Sequence, residues 1–256
     1  MGLPKTLVHA PVVQHLTIAN LVNKLTVYMP EAAVQAVPGQ FVHIRVKDSC
    51  QPLLRRPLSI AAVDSSKGTV SFIYRVVGAG TSCLAELKAN DVVDCMGPLG
   101  SGFDLDCSRP LLIGGGMGLA PLVFLTQRLC PRPMELLMGG RTEQELFWLE
   151  AYKGSCDRIH ITTDDGSVGR RGFTVDVLPE LLSAGDFDRI YACGPRPMLE
   201  IAAGIARRFN IPCQVSLEEH MACGVGACLS CTCAGTDGKR RKVCTDGPVF
   251  WAEEVF

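Results

Sequence analysis

A chain of 256 residues, 47% apolar and 20% charged, is long enough for two cores and too apolar to be disordered. Its net charge of −1 offers no basic surface for nucleic acid or anionic lipid. The 13 cysteines would suit disulfides in a small secreted protein, but the chain opens Met-Gly-Leu-Pro-Lys with no apolar signal region. Free, mostly buried thiols in a reducing cytoplasm are therefore expected.

Residues 1–105 alternate short β-type runs with turns: Val12–Ala19, Leu25–Tyr28, Phe41–Val46, Leu58–Val63 and Thr69–Val77. Pro38-Gly39, Ser66-Lys67-Gly68 and Asn90-Asp91 punctuate them, and the spacing predicts an antiparallel β-barrel or sandwich. From Arg109 the texture changes. Strands at Pro110–Ile113, Met134–Met138, Arg158–Thr162, Arg189–Ala192 and Gln214–Ser216 alternate with helical stretches at 119–129, 143–152, 174–183 and 196–209. This alternation predicts a doubly wound parallel α/β sheet over 106–218. The uncharged run Leu111–Gln127 holds four glycines and a proline, so it reads as strand, turn and helix rather than a membrane span. Residues 219–256 form a cysteine-rich appendage too small for its own core, expected to be organised by a metal.

Arg55-Arg56-Pro57-Leu58-Ser59-Ile60 opens a barrel strand. A guanidinium there can grip phosphate with its planar fork, and a serine two residues past the proline can reach a ring nitrogen. The next strand ends Ile73-Tyr74-Arg75, then Gly78-Ala79-Gly80-Thr81-Ser82 precedes a helical stretch expected from near Leu84. Each piece alone is an ordinary strand start or turn; together they suggest a dinucleotide site. Gly114-Gly115-Gly116-Met117-Gly118-Leu119-Ala120-Pro121 lies between a buried strand and a helix, where glycines let backbone approach a pyrophosphate. Pro121 replaces the last glycine of the usual G-x-G-x-x-G, which the first turn of a helix tolerates. Thr163-Asp164-Asp165-Gly166-Ser167 and Ala192-Cys193-Gly194-Pro195 follow later strands at the ends where such sheets bind ligands. Cys193 has no histidine nearby in sequence and reads as a neutral thiol rather than a nucleophile. The five histidines show no metal spacing; His9, His15, His43 and His160 look ordinary, and His220 borders the cysteine segment.

That segment carries the sharpest signal. Cys223, Cys228, Cys231 and Cys244 fall as C-x4-C-x2-C…C, the plant-type spacing for a [2Fe–2S] cluster. Soft thiolates suit iron and sulfide, and Gly224 and Gly226 let the loop curl its N–H groups toward sulfur. Structural zinc, the rival, usually shows paired short knuckles instead. Cys50, Cys83, Cys95, Cys107, Cys130, Cys156 and Cys213 stand singly and read as fillers. Cys233 is either a substitute ligand or, by strand alternation, turned away from the cluster.

The order of these motifs resembles the ferredoxin–NADP reductase superfamily over essentially the whole chain. Within it, Glu218–Cys228 and Val243–Phe250 are similar to the electron-transfer subunits of class 1B dihydroorotate dehydrogenases. The resemblance implies FAD along Arg56, Pro57, Leu58, Ser59, Ile73, Tyr74, Arg75, Gly80 and Thr81. It implies NAD over Gly114, Gly115, Gly116, Gly118, Pro121, Cys193 and Gly194, and a cluster on Cys223, Cys228, Cys231 and Cys244. Leu58 departs from the superfamily's R-x-Y-[ST], where an aromatic residue stacks on the flavin. The implied partner is an FMN-containing catalytic subunit in a heterotetramer of two copies each, which oxidises dihydroorotate in pyrimidine synthesis. Electrons would pass through the cluster and FAD to NAD+, with no acid–base residue for dihydroorotate in this chain. The alternatives are a reductase serving ferredoxin or polysulfide, or a non-catalytic redox-sensing or cluster-carrying protein. Asp164 and Asp165 would oppose the 2′-phosphate of NADP, whereas Arg141, Arg170 and Arg171 would welcome it.

Overall fold

The computed structural model describes residues 6–45 and 51–256; Val46 and Cys50 lie outside them. The N-terminal half is a closed antiparallel barrel in the order β1-β2-β5-β4-β3-β6. Its elements are β1 (Leu7–Ala19), β2 (Val22–Tyr28), α1 (Pro30–Gln35), β3 (Phe41–Arg45), β4 (Arg56–Asp64), β5 (Thr69–Arg75), α2 (Ala79–Ala85) and β6 (Val92–Leu99). Pairing of β6 back onto β1 removes the open edges a six-stranded sheet would carry. Alternate residues, among them Leu25, Val27, Val42, Ile44, Ile60 and Phe72, fill its interior.

The second half is a seven-stranded sheet in the order β10-β9-β8-β7-β11-β12-β15. It contains β7 (Pro110–Gly115), α3 (Leu119–Leu129), β8 (Glu135–Gly140), α4 (Leu149–Tyr152), β9 (Arg158–Thr163), β10 (Arg170–Arg171), α5 (Thr174–Ala184), β11 (Arg189–Cys193), α6 (Arg196–Arg208) and β12 (Cys213–Ser216). The strand order reverses at β7, which lies between β8 and β11, and this switch point is where such sheets hold ligands. The uncharged run proves to be β7 and α3. Phe124 of that helix packs into the barrel, while Leu122 and Leu125 pack against the sheet, so both sides are buried. Among the described residues no helix is long and apolar enough to cross a membrane.

The C-terminal segment supplies a small hairpin, β13 (Thr232–Ala234) with β14 (Arg240–Lys242), then β15 (Val249–Trp251) and α7 (Ala252–Val255). β15 pairs antiparallel with β12 at the sheet edge. Cys231, Cys233, Val243, Cys244 and Phe250 share one core with Leu111, Ile113 and Val215 of the sheet. The segment thus borrows its neighbour's core, as its small size requires.

Two expectations change. The helix foreseen over 143–152 divides into a 3-10 turn at Glu143–Glu145 and the four-residue α4. Burial of Leu146, Trp148 and Tyr152 overrides helix propensity there, and the Tyr152 hydroxyl donates to the Leu119 carbonyl. The helix expected near Leu84 instead starts at Ala79 and ends at Ala85. Thr81 Oγ1 accepts from the Val77 and Gly78 N–H groups at 2.9 and 3.1 Å, so the glycine–hydroxyl motif forms the first turn of the helix itself.

Candidate functional site

The twin arginines of the barrel have separate fates. Arg55 donates to the carbonyls of His43 and Asp94 and pairs with the Asp94 carboxylate at 2.5 Å, tying β4 to β3 and β6. Arg56 lies over α2: a β-carbon on Gly80 would meet its Nε at 2.1 Å. The guanidinium therefore lies directly against the first turn of α2, and the two together present donors suited to a phosphate. If the flavin expected from the motif order binds here, Gly80→Ala should push Arg56 aside and weaken it by about 10-fold, or about 1.4 kcal/mol, in a flavin-release titration. Pro57 and Ser59 are half-buried, but Leu58 is 8% exposed and packs inside the barrel. Tyr74 is likewise interior, its hydroxyl 3.0 Å from His15 Nε2, while Ile73 packs toward the sheet core. Toward a ligand, Leu58 and Tyr74 offer backbone only.

Over the sheet, Gly116 has φ +56°, which favours glycine, and Gly118 presses on the neighbouring strand end. A β-carbon at Gly118 would stand 2.5 Å from the Cys193 carbonyl carbon and oxygen and 2.6 Å from the Gly194 nitrogen. The turns after β7 and β11, read separately in the sequence, thus form one backbone crossing. Pro121 lies buried in the first turn of α3. Cys193 is 1% exposed and burial pushes its thiol far up, so it is no nucleophile.

Beside this crossing a cleft of about 550 Å³ is lined by Gly115, Gly116, Thr162, Asp164, Phe173 and Met198. Arg75, Arg141 and Glu145 close its barrel side. Phe173, Met198 and the Gly139-Gly140 pair escaped the sequence reading; a Gly-Gly at the end of β8 was the available signal. Glu145 receives Arg141 at 2.6 Å and Arg75 at 3.4 Å, bridging the barrel to the sheet. The Arg141 hydrogen bond, reinforced by Arg75, holds its carboxyl down at about 2. Because this pKa is depressed, the contribution of the bridge is present above about pH 4.5 and is lost as pH falls toward 2. Arg170 is occupied by Glu180 at 2.5 Å. A second cleft of about 320 Å³ adjoins Gly118, Gly194 and Glu218, and burial raises the Glu218 carboxyl.

The four proposed ligands stand as two pairs. Cys223 Sγ accepts N–H groups from Val225 and Cys228 at 3.4 Å, and Cys228 lies against Cys223 and Ser230 at the surface. Hydrogen bonds from Ser230 and Cys223 bring the Cys228 thiol down to about 6. Cys231 and Cys244 are buried against each other, which raises Cys244 to about 12 through desolvation first and its neighbour second. Left-handed Gly224 (φ +69°) and Gly226 (φ +80°) shape the loop. Among the described residues no three His, Cys, Asp or Glu side chains are gathered around one point. Two thiol pairs fit a cluster that divides its ligands between two irons. Cys233 lies in the core at 6% exposure, and His220 contributes its carbonyl to Ser230.

The histidine beside this loop is His43. It is fully buried on β3, neither ring nitrogen has a partner among the described residues, and a β-carbon on Gly224 would meet its Nδ1 at 2.6 Å. Burial first, then Arg55 and Arg56, lower its pKa to about 4, so the ring is neutral. Thr162 Oγ1 in the large cleft and Arg75 Nε are also buried without partners. Open atoms at the cysteine loop and the large cleft fit bound cofactors, while Asp94 Oδ1, Trp148 Nε1 and Arg189 Nε are likewise buried without partners among the described residues.

Comparison with characterised families agrees with this division. Residues 9–103 match the oxidoreductase FAD-binding domain, 112–204 the oxidoreductase NAD-binding domain, and 218–256 the iron–sulfur cluster binding domain of dihydroorotate dehydrogenase B. The chain is 46% identical to the dihydroorotate dehydrogenase B (NAD(+)) electron transfer subunit of Bacillus caldolyticus, over 85% of this chain and 86% of that one. It is 43% identical to that of Geobacillus thermodenitrificans, over 95% and 96%. A solved NADH-dependent reduced ferredoxin–NADP oxidoreductase superposes with a TM-score of 0.87 at 32% identity, covering 97% of this chain and 90% of that one. The barrel, the switch-point sheet and the paired thiols therefore belong together, and the chain is a member of the dihydroorotate dehydrogenase B electron transfer subunit family.

Proposed function

We propose that this chain carries electrons from an FMN-containing, dihydroorotate-oxidising catalytic subunit to NAD+, in a heterotetramer of two copies of each. The reading assigns the FAD phosphate to Arg56, Gly80 and Thr81 and the flavin ring to the Pro57–Ser59 edge. NAD lies over Gly114–Gly118, Pro121 and Cys193-Gly194. A [2Fe–2S] cluster is held by Cys223, Cys228, Cys231 and Cys244. When bound, the flavin exchanges electrons singly with the cluster and in pairs, as hydride, with nicotinamide.

The supporting observation is convergence: β3 carries His43 opposite Pro57 of the flavin edge and beside Gly224 of the cysteine loop. The chain's own contribution is positioning. Gly118 sets the nicotinamide turn against Cys193, α3 excludes water between barrel and sheet, and the loop N–H groups face sulfur. Anaerobic NADH titration of the holoprotein should bleach the flavin and then produce the signal of a reduced two-iron cluster. A flavin that bleaches with no cluster reduction would refute the path.

The reading takes NAD rather than NADP from the NAD(+)-linked relatives, and it is supported by Glu145 and Glu180, which occupy Arg141 and Arg170, two of the three arginines that would welcome a 2′-phosphate. Glu145→Gln should free Arg141 for a 2′-phosphate and lower the NADH-over-NADPH ratio of kcat/KM by about 10-fold. An unchanged ratio would remove Glu145 from that role. The similarity to a ferredoxin–NADP oxidoreductase supports a second reading, service to ferredoxin. Turnover with ferredoxin, and none with the dihydroorotate-oxidising subunit, would select it.

A further inference from the structure

His43 is a neutral imidazole with no solvent exposure and no hydrogen-bond partner among the described residues for either nitrogen. Buried polar groups are as a rule paired, so an open ring calls for a bound group or an ordered water to complete it. Its surroundings limit what that group is. On β3 it stands opposite Pro57, between Val42, which faces Leu58, and Ile44, which faces Arg56. The Phe41 ring meets it edge-on at 6.3 Å. On its other side lies the cysteine loop. Gly224 follows Cys223 directly, and a side chain there would strike Nδ1 at 2.6 Å, Cε1 at 3.3 Å and the Met96 methyl at 3.1 Å. Gly224 also has φ +69°, so space and backbone both call for glycine where the histidine edge meets the loop.

We propose that His43 is a positioning residue between the two redox centres, its Nδ1–H donated into the cysteine loop toward cluster sulfur and its ring filling the gap to the flavin edge. The inference rests on the reading that the loop holds a [2Fe–2S] cluster and the barrel holds FAD. Hydrogen bonds to cluster sulfur stabilise the reduced, more negative state, and a ring packed between the centres fixes their separation. His43 itself is neither oxidised nor reduced, and every electron still passes from one cofactor to the other.

The test compares His43→Asn, His43→Gln and His43→Leu in holoprotein of measured iron and flavin content. An asparagine amide can replace Nδ1, whereas the longer glutamine places its donor nearer Nε2. His43→Leu should keep FAD reduction by NADH in single turnover, yet shift the resonance of the reduced cluster and lower its reduction potential. Electron transfer between flavin and cluster should slow by about 10-fold or more. His43→Asn should restore resonance and potential, and His43→Gln should not. A leucine variant with wild-type resonance, potential and transfer rate would overturn the proposal. So would leucine and asparagine variants altered alike, since that outcome reports packing alone. Wild-type protein that binds flavin but no cluster would instead overturn the reading on which the inference rests.

Discussion

On the proposed electron path, replacing Cys228 by serine should lower dihydroorotate-driven NADH formation by about 100-fold or more, while NADH oxidation by an artificial dye should continue. The reason is geometric. Cys228 is the exposed member of the outer thiol pair and accounts for one of the two N–H groups at Cys223. A serine oxygen is too hard to replace thiolate on iron and sulfide, so the cluster is lost or its potential displaced. The backbone crossing at Gly118 and the contact of Arg56 with Gly80, proposed to serve nicotinamide and flavin phosphate, lie on other elements and keep their geometry. Hydride exchange between NADH and flavin therefore survives. Paired assays of coupled and dye-linked turnover, with iron content determined alongside, check this. Coupled activity at the wild-type level would mean that Cys228 is not a ligand.

Gly118→Ala has the opposite signature. Gly118 has φ −61°, which any residue adopts, so the obstacle is space and not backbone strain. Its methyl group would sit 2.5 Å from the Cys193 carbonyl, and backbone on both sides of the crossing has no free rotation with which to yield. Overpacking of this kind costs about 1–3 kcal/mol, and the turns after β7 and β11 must separate. KM for NADH should rise by about 10-fold or more, with flavin and cluster contents unchanged. The Cys228 and Gly118 variants thus cut the chain of electron transfer at opposite ends. A Gly118→Ala protein with unaltered KM would show that this crossing does not hold nicotinamide.

Much of this was legible in the residues, for identifiable reasons. The segment from β7 through α3 announces itself because a short apolar strand, a glycine run and an apolar helix fit strand, turn and helix better than a membrane span. The cysteine spacing is equally direct, since ligand geometry is local. β6 was harder: Val92-Val93-Asp94-Cys95-Met96-Gly97-Pro98 mixes strand formers with breakers, and closure of the barrel supplies what propensity lacks. Leu58 and Tyr74 turn inward with Ile60, Val70 and Phe72, as strand alternation dictates, but that they face a closed interior and not a ligand depends on barrel closure, which the motif does not record. His43 looked ordinary for a related reason. Its meaning comes from Gly224 at the far end of the chain, and no local pattern records that contact. The Arg75–Glu145–Arg141 bridge is likewise assembled from two domains, invisible until both are folded.

The most direct test of the account is dihydroorotate-dependent NADH formation after anaerobic mixing of the flavin- and cluster-loaded chain with an FMN-containing class 1B catalytic subunit. NADH production that requires both chains, and disappears with either omitted, is expected. No NADH, from a chain that still holds flavin and cluster and still oxidises NADH with a dye, would contradict the assignment to dihydroorotate oxidation.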